Sequence, residues 1–471
     1  MMEGYANNLS YYLNRLSNYS VSTIKLMPLG STDVGSSGVV QVVLPSTGIL
    51  ALPSFGMRFT VETALGTDGV GLPRNYESLI QRMSVELNGA VVQNPCDGYN
   101  DLFNILANNT CGAYGHSLLR AVNNGDVPWV AAAGARGAMA TGNAVLPPQA
   151  AQEAVYGAIN HWLGFIGSAQ PQYLLADILG DLRITLTLAN NSVLCTKADD
   201  TAAGSWSMKK IYFVIDVCRI QDGVYNSMIE RRLASGVPIE IPFTGIYQFT
   251  NNQTTMGQST KFSVSSQSLD RVVCTTVATG MEVATPGGRP GAGVLNAPNT
   301  LSENSGYFTY TNADSTNNQL LVNSEYYPTF PQEAPYDFSY SQKNLNQAVD
   351  VLSATGQTWN GRGAAGLIQA ATATVAADKS GLAQYLGGKW AFIVNFKHLG
   401  GDASDRTLSG INSYGSASNM YYNSNAGGNV FGGAALFPAS GAGFVDYKLL
   451  IYCETTSVLR CLAGKVLEIV A

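Results

Sequence analysis

Charge is what this sequence has least of. Only 12% of its 471 residues are Asp, Glu, Lys or Arg, against about 25% in an ordinary globular protein. A surface that meets water on every side needs more charge than this to stay soluble and monomeric. Two explanations stand open. One is long neutral loops; the other is a Tyr-rich surface buried against neighbours, because interfaces gain Tyr and lose Lys and Glu. The chain holds 24 Tyr and 50 Gly. A net charge of -6 and a pI near 5.2 offer no basic stripe, so direct nucleic-acid binding is not expected.

The usual carriers of chemistry are also scarce. Seven cysteines (Cys96, Cys111, Cys195, Cys218, Cys274, Cys453, Cys461) are odd in number, widely spaced and free of any C-x-x-C pair. Neither a zinc ribbon nor a disulfide framework is indicated. Cys218, within the apolar run Ile211–Ile220, reads as a small buried hydrophobe. His116, His161 and His398 are far apart and share no metal-ligand spacing. No G-x-S-x-G elbow, Walker A loop or H-E-x-x-H occurs. Asp402 and Asp405 form a close carboxylate pair, but such pairs are common in Gly/Ser loops, and a glycosidase is defined by a distance that spacing does not give. No catalytic, cofactor-binding or metal-binding residue is therefore assigned, and no enzyme is expected. No run approaches ~18 consecutive apolar residues, so no membrane-spanning helix is predicted. The N-terminus has no basic n-region before an apolar h-region, so no secretion signal is predicted either.

What the sequence does contain is strand pattern. Tyr5, Leu9, Tyr12, Leu13 and Leu16 fall on one stripe of a 3.6-residue period and predict an amphipathic helix over 5–17. Beyond it, Thr23–Leu29, Val39–Leu44, Ile49–Thr63 and Leu79–Gln93 are apolar runs between Gly, Ser, Pro and Asp clusters, the punctuation of β-structure. Met83, Val85 and Leu87 alternate with Ser84 and Glu86, and Asn88-Gly89 then offers a tight hairpin turn. Residues 96–175, with a short helix at Asp101–Ala107 and a nearly uncharged Ala131–Ala150, read as a long excursion. Strands return at Asp181–Leu188 and Met208–Ile220. A helix at Tyr225–Ala234 ends at Gly236, a predicted C-cap.

The pattern then restarts with Ile239–Phe249, Lys261–Ser265 and Leu269–Val277. A second low-charge excursion follows at about 280–385, and strands close the chain at Trp390–Leu399, Ser418–Tyr422, Tyr447–Glu454 and Val466–Val470. Alternating βαβ units are absent, which argues against a Rossmann or TIM-barrel fold.

Several segments, in this order, resemble the double jelly-roll major capsid proteins of tailless icosahedral double-stranded DNA viruses. They are Ile178–Leu188, Tyr225–Ala234 followed by Gly236–Phe243, Phe262–Val272, Leu408–Ser413 and Gly464–Val470. The resemblance implies an all-β chain of two tandem eight-stranded antiparallel jelly rolls with long loop insertions and a few short helices. It divides the chain into an N-terminal amphipathic arm (1–20), a first roll (21–222, insertion about 96–175), a linking helix (223–236) and a second roll (237–471, insertion about 280–385). It implies a virion subunit that forms homotrimeric pseudo-hexameric capsomers. Its partners would be further copies of itself, minor capsid or vertex proteins and, where the shell encloses one, an internal membrane. The stripe Tyr5, Leu9, Tyr12, Leu13 and Leu16 then either packs beneath its own roll or, as the candidate assembly contact, lies against a neighbouring subunit. With a single Arg on its polar face, the arm suits protein better than anionic lipid. The competing reading is a carbohydrate-binding or adhesive β-sandwich, which would explain aromatic, Asn-rich loops but is usually accompanied by a secretion signal.

Overall fold

The computed structural model describes residues 19–64, 70–71, 73, 75–110, 145–146, 155–194, 205–220, 231–253, 259–279, 306–308, 310, 315–333, 390–397, 410–414, 420–426, 447–462 and 467–470. Leaving aside the two-residue strands Val34–Gly35, Val70–Gly71 and Val145–Leu146, and taking one strand in two pieces, eight strands among the described residues precede residue 221. They are Tyr19–Leu26 (β1), Val39–Val43 (β2), Ile49–Ala64 (β3), Ile80–Leu87 (β4), Ala90–Cys96 (β5), a broken strand in two pieces, Val155–Ile159 and Tyr173–Leu175 (β6), Leu182–Leu188 (β7) and Ser205–Ile220 (β8). Eight more follow: Ile239–Gln253 (β9), Ser259–Phe262 (β10), Leu269–Ala278 (β11), Ser315–Val322 (β12), Glu325–Glu333 (β13), Phe392–Asn395 (β14), Met420–Ala426 (β15) and Tyr447–Cys461 (β16). A last short strand, Leu467–Val470 (β17), pairs with the far end of β16.

The pairing order identifies the fold. In the first half, one sheet runs β1-β8-β3-β6 and the other β2-β7-β4-β5. In the second half the orders are β9-β16-β11-β14 and β10-β15-β12-β13. Adding eight to each label of the first half reproduces the second. Two sheets of eight antiparallel strands interleaved in this way are a jelly roll, and the chain contains it twice. Even the tight turns correspond. The β4–β5 hairpin turns at Asn88 (φ 49°) and Gly89 (φ 81°), and the β12–β13 hairpin at Asn323 (φ 53°) and Ser324 (φ 71°). Paired positive φ values give the primed turn that matches strand twist.

Period-two alternation builds each sandwich. In β7, Leu182, Ile184, Leu186 and Leu188 are buried, whereas Arg183, Thr185 and Thr187 face outward. Ile184 stands opposite Val42 on one side and Val85 on the other, and all three are buried.

Among the described residues three α-helices interrupt the strands: Tyr99–Thr110 (α1), Phe165–Ser168 (α2) and Ala176–Leu179 (α3). Residues 231–234 are also helical. Gly236 (φ 76°) ends that turn as expected. Its N–H donates to the Leu233 carbonyl at 3.0 Å and the Val237 N–H to the Arg232 carbonyl at 3.3 Å, a Schellman cap.

The structure differs from the sequence reading inside both excursions. Residues 96–175 hold α1, which is longer than Asp101–Ala107, and both pieces of β6. Residues 280–385 hold β12 and β13, two of the second roll's eight strands. β12 opens on Ser, Thr, Asn and Gln and β13 holds two prolines, which hid them. The N-terminal stripe (Tyr5, Leu9, Tyr12, Leu13, Leu16) and most of Ala131–Ala150 lie outside the described residues.

Candidate assembly surface

The two rolls are fused through a buried seam. In the β9-β16-β11-β14 sheet, one cross-strand row is Tyr247, Cys453, Val272 and Val394, which points into the second roll's own core. The adjacent row, Gln248, Tyr452, Val273 and Ile393, lies on the opposite face. There Tyr452, Val273 and Ile393 join the core that begins in the first roll. This sheet is covered on both faces, which explains why β14 is buried at every position.

The first roll covers it with the segments next to β5 and between the two pieces of β6. Phe165 meets Phe243 edge-on, with centroids 5.2 Å apart. The Thr244 N–H donates to Ser168 Oγ at 2.8 Å, and the Gln170 N–H to the Pro242 carbonyl at 2.9 Å. The Gly98 N–H donates to Gln248 Oε1 at 2.7 Å. A side chain at position 98 would not fit, because a Cβ there would sit 2.3 Å from Tyr452 Oη. The Tyr310 hydroxyl donates to Asp101 Oδ1 at 3.0 Å. Burial, and next the neighbouring Asp101 charge, push the Tyr310 hydroxyl well above its usual range. Tyr99, Tyr310, Tyr447 and Tyr452 are all fully buried. Part of the tyrosine content that the sequence assigned to an outer surface therefore serves contacts within one chain.

Among the described residues, the equivalent face of the first roll is the more exposed one. On the outer face of β1-β8-β3-β6, one row is Val21, Cys218, Ile49 and Leu175, and the next is Thr23, Asp216, Ala51 and Tyr173. Val21 is 60% and Tyr173 62% exposed, and Cys218, Ile49, Leu175, Asp216 and Ala51 are half-buried. The outer face of β2-β7-β4-β5 is more charged, with ion pairs Arg82–Asp97 at 2.9 Å and Arg183–Glu86 at 4.0 Å. In the second roll, edge strand β13 exposes Tyr326 and Phe330.

Of the residues weighed for chemistry, His161 Nδ1 lies 3.6 Å from buried Glu77 Oε1. His116, His398, Asp402, Asp405, Cys111 and Cys195 lie outside the described residues. Among the described residues no His/Cys/Asp/Glu group is arranged to hold a metal ion, and no helix is long and apolar enough to cross a membrane. Cys96, Cys274, Cys453 and Cys461 are buried free thiols. Burial pushes Cys96 up to about 12 and Cys461 up to about 11.

No family model matches the sequence, and no curated protein is similar to it. Solved structures are similar over nearly the whole chain. PBCV-1 VP54, in a crystal structure fitted into a reconstruction of the virophage Sputnik, aligns with a TM-score of 0.57 at 15% identity, covering 98% of this chain and 99% of that one. The PBCV-1 virus capsid aligns with a TM-score of 0.56 at 15% identity, covering 98% and 99%. The Faustovirus major capsid protein aligns with a TM-score of 0.52 at 10% identity, covering 95% and 91%. At these identities the likeness is one of fold, and the fold is the double jelly roll that the strand order gives independently.

Proposed function

We propose that the chain is the major structural subunit of an icosahedral virus shell, a virion protein that works by self-assembly and not by catalysis. The observation that carries this reading is the duplicated roll. Two copies of one strand order are fused by a buried seam into a single unit, and that unit aligns from end to end with virus capsid proteins. Three such units would give six rolls around a ring, a homotrimer with a pseudo-hexagonal outline. The low charge of the chain fits a subunit whose flanks are covered. Minor capsid or vertex proteins, and an internal membrane beneath the shell, are further partners under this reading. Native mass spectrometry of the purified chain tests it: a trimer at three times 49.8 kDa is expected, and a dilution-resistant monomer would overturn it.

The proposal extends to the chain's organisation: an arm at 1–20, rolls at 21–222 and 237–471, and a link at 223–236. The arm's stripe (Tyr5, Leu9, Tyr12, Leu13, Leu16) is assigned to a neighbouring subunit. Removing residues 1–20 should leave a folded trimer that no longer closes into shells. Normal assembly of the truncated chain would refute that role, and a truncated chain that fails to fold would place the stripe beneath its own roll instead.

A further inference from the structure

The two rolls share one strand order, so each serves as a control for the other. On the outer face of β10-β15-β12-β13, one cross-strand row is Lys261, Tyr421, Leu321 and Tyr326. Counted from the matching turns, Asn323-Ser324 and Asn88-Gly89, its counterpart on β2-β7-β4-β5 is Val43, Arg183, Glu86 and Val91. The middle of the first-roll row is the ion pair Arg183–Glu86 at 4.0 Å. The middle of the second-roll row is Tyr421 beside Leu321. The fold therefore does not itself require an aromatic row at this place. Tyr326 is 47% exposed, and Tyr421 and Leu321 are half-buried. Their chain neighbours Tyr422 and Leu320 point the other way and fill the core. We infer that this row is a binding platform for a neutral oligosaccharide.

Three features fit that ligand. The first is length. Tyr421 and Tyr326 stand two strands apart with Leu321 between them, which sets them ~10 Å apart at ordinary strand spacing. The platform is longer than one sugar ring and suits a chain of two or more. Each tyrosine offers a flat apolar body for the C–H face of a sugar and a hydroxyl for hydrogen bonding, at small cost in side-chain order. The second is a pair of fixed amides in the adjacent row, Ser259, Asn423 and Gln319. Ser259 Oγ donates to Asn423 Oδ1 at 2.6 Å, and Gln319 Nε2 donates to the Pro328 carbonyl at 2.8 Å. Each bond holds one end of an amide and leaves the other for sugar hydroxyls, Asn423 Nδ2 as donor and Gln319 Oε1 as acceptor. The third is charge. Lys261 is the one charged residue in these two rows, so the platform has neither the basic cluster that suits a sulfated or sialylated glycan nor carboxylates for a cationic partner.

The test applies the purified full chain to an array of neutral hexose and N-acetylhexosamine oligosaccharides, with sulfated and sialylated glycans as controls. Circular dichroism melts confirm that each variant folds, and native mass spectrometry reads its oligomeric state separately. The wild-type chain should bind at least one neutral glycan of two or more sugars. Tyr326→Ala, which alters an exposed side chain, and Tyr421→Ala should each weaken that binding tenfold or more without changing the oligomeric state. Val91→Ala, at the first-roll position that matches Tyr326, should leave it unchanged. No neutral glycan bound, binding confined to charged glycans, or binding kept in the double tyrosine variant would each overturn the assignment. An equal loss in Val91→Ala would overturn it too. Tyrosine variants that lose the oligomer while the wild-type chain binds no glycan would show instead that the row joins copies of the protein. A wild-type chain that binds the glycan as a monomer would uphold the platform and refute the shell-subunit reading alone.

Discussion

Replacing Ile184 by Ala measures how much of the first roll rests on the inner face of β7. Ile184 is fully buried between Val42 and Val85, themselves fully buried. The substitution removes the equivalent of about three methylene groups, near 2.4 kcal/mol at ~0.8 kcal/mol each. The cavity left in a sandwich that cannot fully collapse raises the total to about 3–4 kcal/mol. In a unit of about 200 residues each kcal/mol lowers Tm by roughly 2–4 °C, so a fall of about 6–16 °C is expected. Thr185→Ala is the matched control. Thr185 is the next residue of the same strand but faces outward, half-buried, opposite Gln41 and Ser84, and its loss should move Tm by no more than about 2 °C. Differential scanning calorimetry at one fixed protein concentration reads both, because assembly adds a concentration-dependent term. Equal shifts for the two variants would refute the assigned faces of β7, and with them the sandwich.

Gly98→Ala places a Cβ against Tyr452 Oη and Gln248 Nε2 and should destabilise the seam by about 1–3 kcal/mol in chemical denaturation; an unchanged midpoint would show that the rolls do not meet there. Tyr310→Phe removes a buried hydroxyl from Asp101 and should cost about 1–2 kcal/mol, read as a lower Tm. The buried thiols should make the fold sensitive to alkali. Cys96 and Cys461 stay protonated in the fold up to about 12 and about 11, whereas the unfolded chain releases those protons near the ordinary value of 9.0. Their contribution is therefore complete below about pH 9 and is lost as pH rises through the folded values. Tm should hold to pH 9 and then fall, more steeply than in a Cys96→Ala, Cys461→Ala variant. At pH 8, iodoacetamide should leave Cys96, Cys274, Cys453 and Cys461 unmodified in the native protein; modification before unfolding would contradict their burial.

Local signals in the sequence were read well where one face of a strand meets the core and the other meets solvent. β7 and the β4–β5 hairpin show this, with their alternation and Asn88-Gly89. The Gly236 cap was legible for the same reason, because the left-handed conformation it needs is a local demand. β12 and β13 were not legible. Ser315–Gln319 places polar residues along the strand, β13 carries two prolines, and their turn uses Asn323-Ser324 in place of Asn-Gly. β6 is cut into pieces too short to carry a period. The pairing order depends on contacts between residues far apart in sequence, such as Tyr19 with Ile220, and no local pattern encodes those. The role of the tyrosines was misjudged in part. Tyr452 and Tyr310 look like interface residues because they are, but the interface is the seam between two rolls of one chain.

The account is tested most directly by a cryo-EM reconstruction of the purified assembly. It predicts a three-fold ring of six jelly-roll lobes. A monomer, or an assembly without three-fold rings of six lobes, would contradict it.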